Sequence, residues 1–589
     1  MEKLIKSAKD GSYEAMTVLA LDACESQRAH QAFCHVMEEN LTFNTAFIQD
    51  MKRGRLPVVP SLNPKDVLNL SCNSMLALIR HLRSQLNLQH VCREDCTSIL
   101  APFIPAISFW LCLFCEYIIL PSRTAEFTFI DFHRVAVFIL SWTSLHGSKI
   151  TMEPKLFTNH LPFLWFHPPT GCTKYDLDHA RALFTAVDHG LTTSDEPLRE
   201  LFVRRLEENS TLTANCIVQF IVDVFSSIPE ESRTELQYQS FSAVASSTLQ
   251  LADQSLSIHT ALLKNNILRW MCLVLRFVTW RVRFTDTTLS LATSCVNICL
   301  VYIYKIMRDG HSYIHQLLGY DILLYMMKAL RNLHAHPELI DQENKSLKTA
   351  VEDQTVTIIR IVISHSVYAS ILKRSRKAIL KIQRHVEFLN DPALKQVCEA
   401  WTEFVNIASY RSDILRSIPD SYCGNEQCPG TSIGNFMACS GCQFTRYCSR
   451  ACQKDDWSSG DHHSLCIKIK QFRTDGGPLP MCLSDKRALE GFNRQYVERY
   501  REGPSEWNML LYGYIAWKGK PDPMWPMIWI LDYRVVNVEP EVSIDSSEQC
   551  AGDFDPEYLA KARDGAGTLV FSFIPNGQYT VEKAELVPS

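Results

Sequence analysis

The chain has 589 residues, 46% hydrophobic and 21% charged, a make-up that leaves room for several globular domains or one long array and excludes wholesale disorder. A formal charge of -5 and an isoelectric point near 6.4 provide no global basic field to neutralise phosphates, so direct nucleic-acid binding is not expected. The first residues, Met1-Glu-Lys-Leu-Ile-Lys, lack an apolar signal core, and most of the 22 cysteines are scattered without pattern. Both features lead us to expect an intracellular protein of the cytoplasm, the nucleus or both, with most thiols free and buried.

Residues 1–419 are expected to form an α-helical scaffold. Within the linker from Arg55 on, Pro57, Pro60 and Pro64 fall in eight residues and impose an extended or polyproline-like course. Ile99 to Leu120 is the most span-like apolar run, but Pro102, Pro105 and Glu116 interrupt it, so a buried helix pair is expected there and no membrane association. Cys92-x3-Cys96 with Cys112-x2-Cys115 mimics a metal spacing. The second pair lies in Phe109-Trp-Leu-Cys-Leu-Phe-Cys, where thiols read as small apolar side chains of a buried helix.

Tyr175 to His189 has an apolar stripe at Leu177, Ala180, Phe184 and Val187, acids in its first turn, and Gly190 placed as a C-cap. Leu212 to Phe225, Ile267 to Phe284, Leu289 to Met307, Ile322 to Leu333 and Thr355 to Ile382 are apolar around more of their circumference, which fits helices sandwiched between neighbours. With no sheet to cover, they point to an irregular armadillo- or HEAT-like solenoid, although no clean repeat period is visible. His334-Ala-His336 reads as a solvated loop. Lys373-Arg-Ser-Arg-Lys377, set between Ile371-Leu372 and Ile379-Leu380, reads as a charged outer helix face.

Between Cys423 and Cys466, seven of the 22 cysteines fall within 44 residues. The order is Cys423-x4-Cys428-x10-Cys439-x2-Cys442-x5-Cys448-x3-Cys452-x9-His462-x3-Cys466: eight soft ligands in four pairs. A pair two to four residues apart offers both atoms from one knuckle or one helical turn, and tetrahedral zinc takes two such pairs, so two Zn2+ ions are expected. Neither site would have a position left for water, which marks structural metal. Spacing leaves open whether the pairs are used sequentially or interleaved. His462 keeps register with Cys466, while His463 stands beside it.

The same stretch resembles the MYND zinc fingers, in Cys439-Ser-Gly-Cys442, Arg446-Tyr-Cys-Ser449, Cys452-Gln453, Asp456-Trp457 and His462-x3-Cys466. The resemblance covers residues 423–466 and departs from the family pattern in the longer first knuckle and in two extra residues before His462. It implies an interleaved cross-brace, with Cys423, Cys428, Cys448 and Cys452 on one zinc and Cys439, Cys442, His462 and Cys466 on the other. It also implies a peptide-binding surface of Ser440, Gln453 and Trp457 for short proline-containing segments, possible partners in transcriptional regulation. Gln453 and Trp457 are one helical turn apart, as a shared face requires. Pro60-Ser-Leu62-Asn-Pro64 fits the Pro-x-Leu-x-Pro pattern of such ligands and is a candidate self-segment. The layout also resembles large, mostly uncharacterised fungal MYND proteins.

From Ser484 to Arg501, Leu489, Phe492, Tyr496 and Tyr500 share a helix face; Pro504 to Trp517 suggests another helix, Met527 to Val538 a strand, and Thr568 to Val587 a hairpin turning at Pro575-Asn-Gly577. Residues 483–589 are therefore expected to form a small α+β region, a candidate neighbour of the zinc module. The enzymatic alternative, a MYND-containing SET lysine methyltransferase, is disfavoured: 422 residues precede the finger, and Asn159-His160 continues as Leu161-Pro162. No Walker, Gly-x-Ser-x-Gly or His-Glu-x-x-His motif is present, so no enzymatic activity is expected.

Overall fold

The computed structural model describes residues 2–9, scattered positions to 36, residues 161–166, and most of the chain from 184 to 588, with its longest later break at 503–526. Pro60 to Pro64, the Cys92 to Cys115 group, Ile99 to Leu120, His336 and Pro504 to Trp517 lie outside the described residues. The chain divides into two compact units, Met1–Leu262 and Leu263–Ser589. It is mostly helical, with strands towards the C-terminus.

In the first unit are α1 (Glu2–Lys9), α2 (Leu161–Phe166), α3 (Glu196–Glu207), α4 (Ser210–Ser226) and α5 (Glu235–Gln254), with α6 (Leu256–Lys264) reaching its end. Asp195 caps α3 by accepting the Leu198 N–H, and Pro197 occupies its first turn. The core is aromatic: Trp165 meets Phe184 edge-on at 5.5 Å, and Phe184 stacks on Phe220 at 4.3 Å. Gly190 does not end its helix, which continues through Leu191 and Thr192. A Cβ there would come 2.8 Å from the Phe202 ring, so this glycine admits a neighbouring side chain instead of a left-handed turn.

The second unit begins with α7 (Ile267–Thr279), α8 (Asp286–Met307), α9 (His311–Gly319), α10 (Ile322–Ala335), α11 (Gln342–Ser364), α12 (Ala369–Ile382) and α13 (Lys395–Ser417). They pack in two rows, α8 on α11 on α13 and α7 on α10 on α12, with α9 against α12. Asn266 before α7 and Asp321 before α10 take left-handed backbone, which short polar side chains tolerate best after glycine. A Thr285–Thr288 capping box starts α8. Residues 287–307 of α8 are long and apolar enough to cross a membrane, and more than half of that stretch is buried within the protein.

Thr355 to Ile382 is not one helix. It breaks through a short 3-10 turn at His365–Val367 and an extended Tyr368. The guanidinium of Arg411, fully buried on α13, donates to the Ile363 carbonyl at 3.0 Å and to Ser366 Oγ at 2.6 Å, and the Ser366 hydroxyl donates to the same carbonyl at 2.7 Å, so the polar groups at the break are satisfied. His334 belongs to the last turn of α10 rather than a loop, and its Nε2 lies 3.0 Å from Glu352 Oε1 of α11.

After the cysteine-rich segment come α16 (Leu483–Glu502), β3 (Met527–Asp532), β4 (Glu541–Ser546), α17 (Pro556–Arg563), β5 (Gly567–Asn576) and β6 (Tyr579–Pro588). The sheet order is β4-β3-β5-β6, with β3 parallel to β5 and the outer pairs antiparallel. Asn576 is itself a strand residue paired with Tyr579. Its carboxamide oxygen accepts the His311 N–H at 3.2 Å, and Tyr368 donates to the Pro575 carbonyl at 2.9 Å. Asp485 on α16 accepts the Ser370 N–H of α12 at 2.8 Å. Buried Asn493 joins α16 to the sheet, donating to Ser572 and Glu585 and accepting from Tyr533. The C-terminal region is thus seated on the helical rows.

Candidate metal centre

The cysteine-rich segment is built from β1 (Met437–Ala438), β2 (Arg446–Tyr447), α14 (Arg450–Ser459) and α15 (His462–Asp475). The two strands form a minimal antiparallel hairpin pairing Met437 with Tyr447. Gly424 N–H donates to the Arg446 carbonyl at 2.7 Å, which lays the first knuckle along the free edge of β2. The longer first knuckle is closed by Asn425: its side chain accepts the Gln427 N–H at 3.0 Å and its carbonyl accepts the Cys428 N–H at 3.0 Å. Ser449 starts α14 by accepting the Cys452 N–H at 3.1 Å.

Two groups of four ligand atoms result: Cys423, Cys428, Cys448 and Cys452, and Cys439, Cys442, His462 and Cys466, each with its atoms within 4.8 Å of one another. The pairs therefore interleave, first with third and second with fourth. Sγ of Cys448 lies 3.6 Å from that of Cys428 and 3.5 Å from that of Cys452, and Cys442 Sγ lies 3.9 Å from His462 Nε2. A tetrahedron with zinc–sulfur bonds of ~2.3 Å has edges of about 3.8 Å, so the spacing fits zinc and is far too long for disulfides, for which S–S is ~2.05 Å. None of these cysteines is joined in a disulfide. His462 is buried within its cluster, while His463 is exposed on the outer side of α15.

Electrostatics suit a cation. Burial opposes ionisation of Cys439, but N–H groups of Cys442 and Gly441 and the His462 ring bring its thiol down to about 6. Burial pushes Cys423 up to about 12, with the Cys448 and Cys452 thiols adding to the rise against backbone N–H bonds. Crowded thiolates repel one another, and a dication at their centre offsets that repulsion. When bound, each zinc supplies a structural crosslink, with all four positions taken by protein atoms.

Several contacts around the clusters are not apparent from ligand spacing. Tyr447, fully buried behind the hairpin, donates to Asp456 Oδ2 on α14 at 2.6 Å, tying strand to helix across both metal sites. The Trp457 ring lies 5.7 Å from that of His462 and meets His463 edge-on at 4.7 Å, yet keeps 43% of its surface exposed. Gln453 is half-buried one turn earlier on the same helix, and Ser440 is exposed between Cys439 and Cys442. Gly441 sits where a Cβ would come 2.9 Å from Cys466 Sγ.

No curated protein and no solved structure matches the chain. Residues 421–466 match the MYND finger family, and with two four-ligand clusters in that segment the chain carries a MYND-type zinc finger holding two Zn2+ ions.

Proposed function

We propose that the finger is a docking module for short proline-containing peptides and that the protein is a non-catalytic adaptor of the cell interior, with transcriptional regulation as one setting. MYND fingers are generally protein-interaction modules. The observation that carries the finer reading is the exposed Trp457 face, held from behind by His462 and His463 and flanked on α14 by Gln453. A flat aromatic surface with a polar neighbour suits proline rings, and an extended proline segment loses little conformational entropy on docking. Further support for a non-catalytic role is the all-protein ligand set at both metal sites. The helical body acts as the scaffold, in the manner of an irregular helical repeat.

The sequence Pro60-Ser-Leu62-Asn-Pro64 has the form of such a ligand and competes with outside partners for the same surface. A labelled peptide covering residues 55–68 is titrated into the full chain by fluorescence anisotropy. Binding in the micromolar range, on the order of 8 kcal/mol, is expected, with at least about tenfold loss in Trp457→Ala and Gln453→Ala. Equal binding by the wild type and both variants would refute the surface assignment.

A further inference from the structure

The two helical rows of the second unit differ in charge. The row α8–α11–α13 holds seven acidic and seven basic residues, mixed along each helix, and pairs such as Lys395–Glu399 and Arg416–Asp413 form along single helices. In the other row, α7, α10 and α12 hold nine Lys and Arg and no Asp or Glu, and α9, packed among them, holds no Asp, Glu, Lys or Arg. This imbalance is local, because the whole chain carries a formal charge of -5.

The three helices of the basic row are neighbours, α7 on α10 and α10 on α12. Arg276 of α7 is within electrostatic reach of Tyr325 on α10, as is Asp321 at the start of α10. Asp321 in turn accepts Lys381 of α12 at 2.6 Å. On α12, Lys373, Arg376, Lys377 and Lys381 are exposed; Lys373 stands three and four residues before Arg376 and Lys377, and Lys377 four before Lys381, spacings at which like charges destabilise a helix. A face serving only for solvation gains stability from mixed charges along the helix, as α13 does; on α12 the carboxylate comes from outside the helix, Asp321 meeting Lys381. Arg374 is used differently, its Nε donating to His315 at 2.7 Å.

Apolar side chains are set among these cations. Leu380 is 64% exposed between Lys377 and Lys381, and Trp270, Leu273 and Tyr325 are half-exposed on α7 and α10. We infer that the exposed face of α7, α10 and α12 is a docking surface for an acidic protein segment that carries aliphatic side chains. Its carboxylates meet the Lys and Arg rows and its apolar residues cover Leu380 and the neighbouring ring faces. A phosphate backbone would satisfy the charges but not Leu380. This surface shares no residue with the Trp457 face, so each can be tested without the other.

The test is fluorescence anisotropy of a labelled peptide of repeated Glu-Glu-Leu with the full chain, at low and at physiological salt, beside a poly-Glu peptide, a single-stranded RNA oligonucleotide and phosphatidylserine vesicles. Salt-sensitive binding of the Leu-containing peptide is expected, weakened at least about tenfold by Arg376→Glu with Lys377→Glu. Leu380→Ser lowers affinity for the Leu-containing peptide and leaves that for poly-Glu unchanged, while Trp457→Ala alters neither. Unchanged zinc content and thermal midpoint show that the charge-reversed protein is folded. The neutral pair Arg376→Gln with Lys377→Gln gives the same direction with a smaller loss should reversal disturb α12. No peptide binding at low salt, affinity indifferent to these substitutions, or RNA or vesicles bound in preference to the peptide would overturn the inference.

Discussion

Replacing His462 by alanine removes one ligand from the Cys439, Cys442, His462 and Cys466 cluster, in which its Nε2 lies 3.9 Å from Cys442 Sγ. Structural zinc contributes roughly 10–16 kcal/mol, so an equal share among four ligands is ~2.5–4 kcal/mol, about two to three decades in affinity. The damage should spread: the ligand pairs interleave along the chain, and the His462 ring also supports Tyr447 and Trp457. His463→Ala removes an exposed ring and one edge-on contact with Trp457, costing at most about 1 kcal/mol. Zinc is counted by mass spectrometry after dialysis against a graded chelator series. Wild type and His463→Ala should hold two ions to the same chelator strength, and His462→Ala should lose the second-cluster ion first, with the other following at weaker chelator than in wild type. Retention of both ions at wild-type strength by His462→Ala, or loss of one by His463→Ala, would refute the ligand geometry.

Tyr447→Phe deletes the buried hydroxyl bonded to Asp456 and should lower finger stability by about 1.5–3 kcal/mol, read as faster zinc release to a chromogenic chelator with the ion count unchanged. Gly441→Ala would drive a Cβ against Cys466 Sγ and should weaken the second cluster selectively, seen in cadmium- or cobalt-substituted spectra as loss of one thiolate set. Burial pushes His365 down to about 4, despite the Ile361 carbonyl that favours its charged form and with nearby His311 adding to the fall. Since its folded value lies below the ordinary ~6.5, its contribution is present above pH ~6.5 and lost as pH falls towards 4. That amounts to about 2 kcal/mol by pH 5, so urea melts at pH 7 and pH 5 should differ by that order more in wild type than in His365→Gln.

The metal chemistry was legible because covalent spacing alone fixes it. Cys439-x2-Cys442 and Cys448-x3-Cys452 can grip an ion from only one side, so four such pairs imply two metals whatever the surrounding fold. The partnership between pairs was not fixed by spacing; it depends on Gly424 pairing with Arg446 along the hairpin edge, a contact between distant backbone atoms. The choice of His462 over His463 likewise depends on the first turn of α15, which buries one ring and exposes the other. Asn425, Ser449 and the Tyr447–Asp456 bond are not legible in the sequence because each acts by hydrogen-bond direction, which composition does not encode.

In the body, apolar periodicity located α4, α7, α8, α10 and α16, since burying one face of a helix leaves a regular signature. It failed at His365–Tyr368, where the apolar pattern continues but the helix stops, because Ser366 and a buried arginine from α13 together bond the polar groups at the break. Strand β4, Glu541–Ser546, is a short edge strand in which only Val542 and Ile544 alternate with polar residues, a signal too brief to mark it. The sequence by itself determined that helices dominate, that two zinc ions are bound and that a small mixed region follows, because these depend on local spacing and on the side chains each residue brings. Only the tertiary structure decided which ligands share a metal, that the C-terminal sheet rests on the helical rows, and that one row gathers the positive charge, because each of these rests on contacts between residues far apart in the chain.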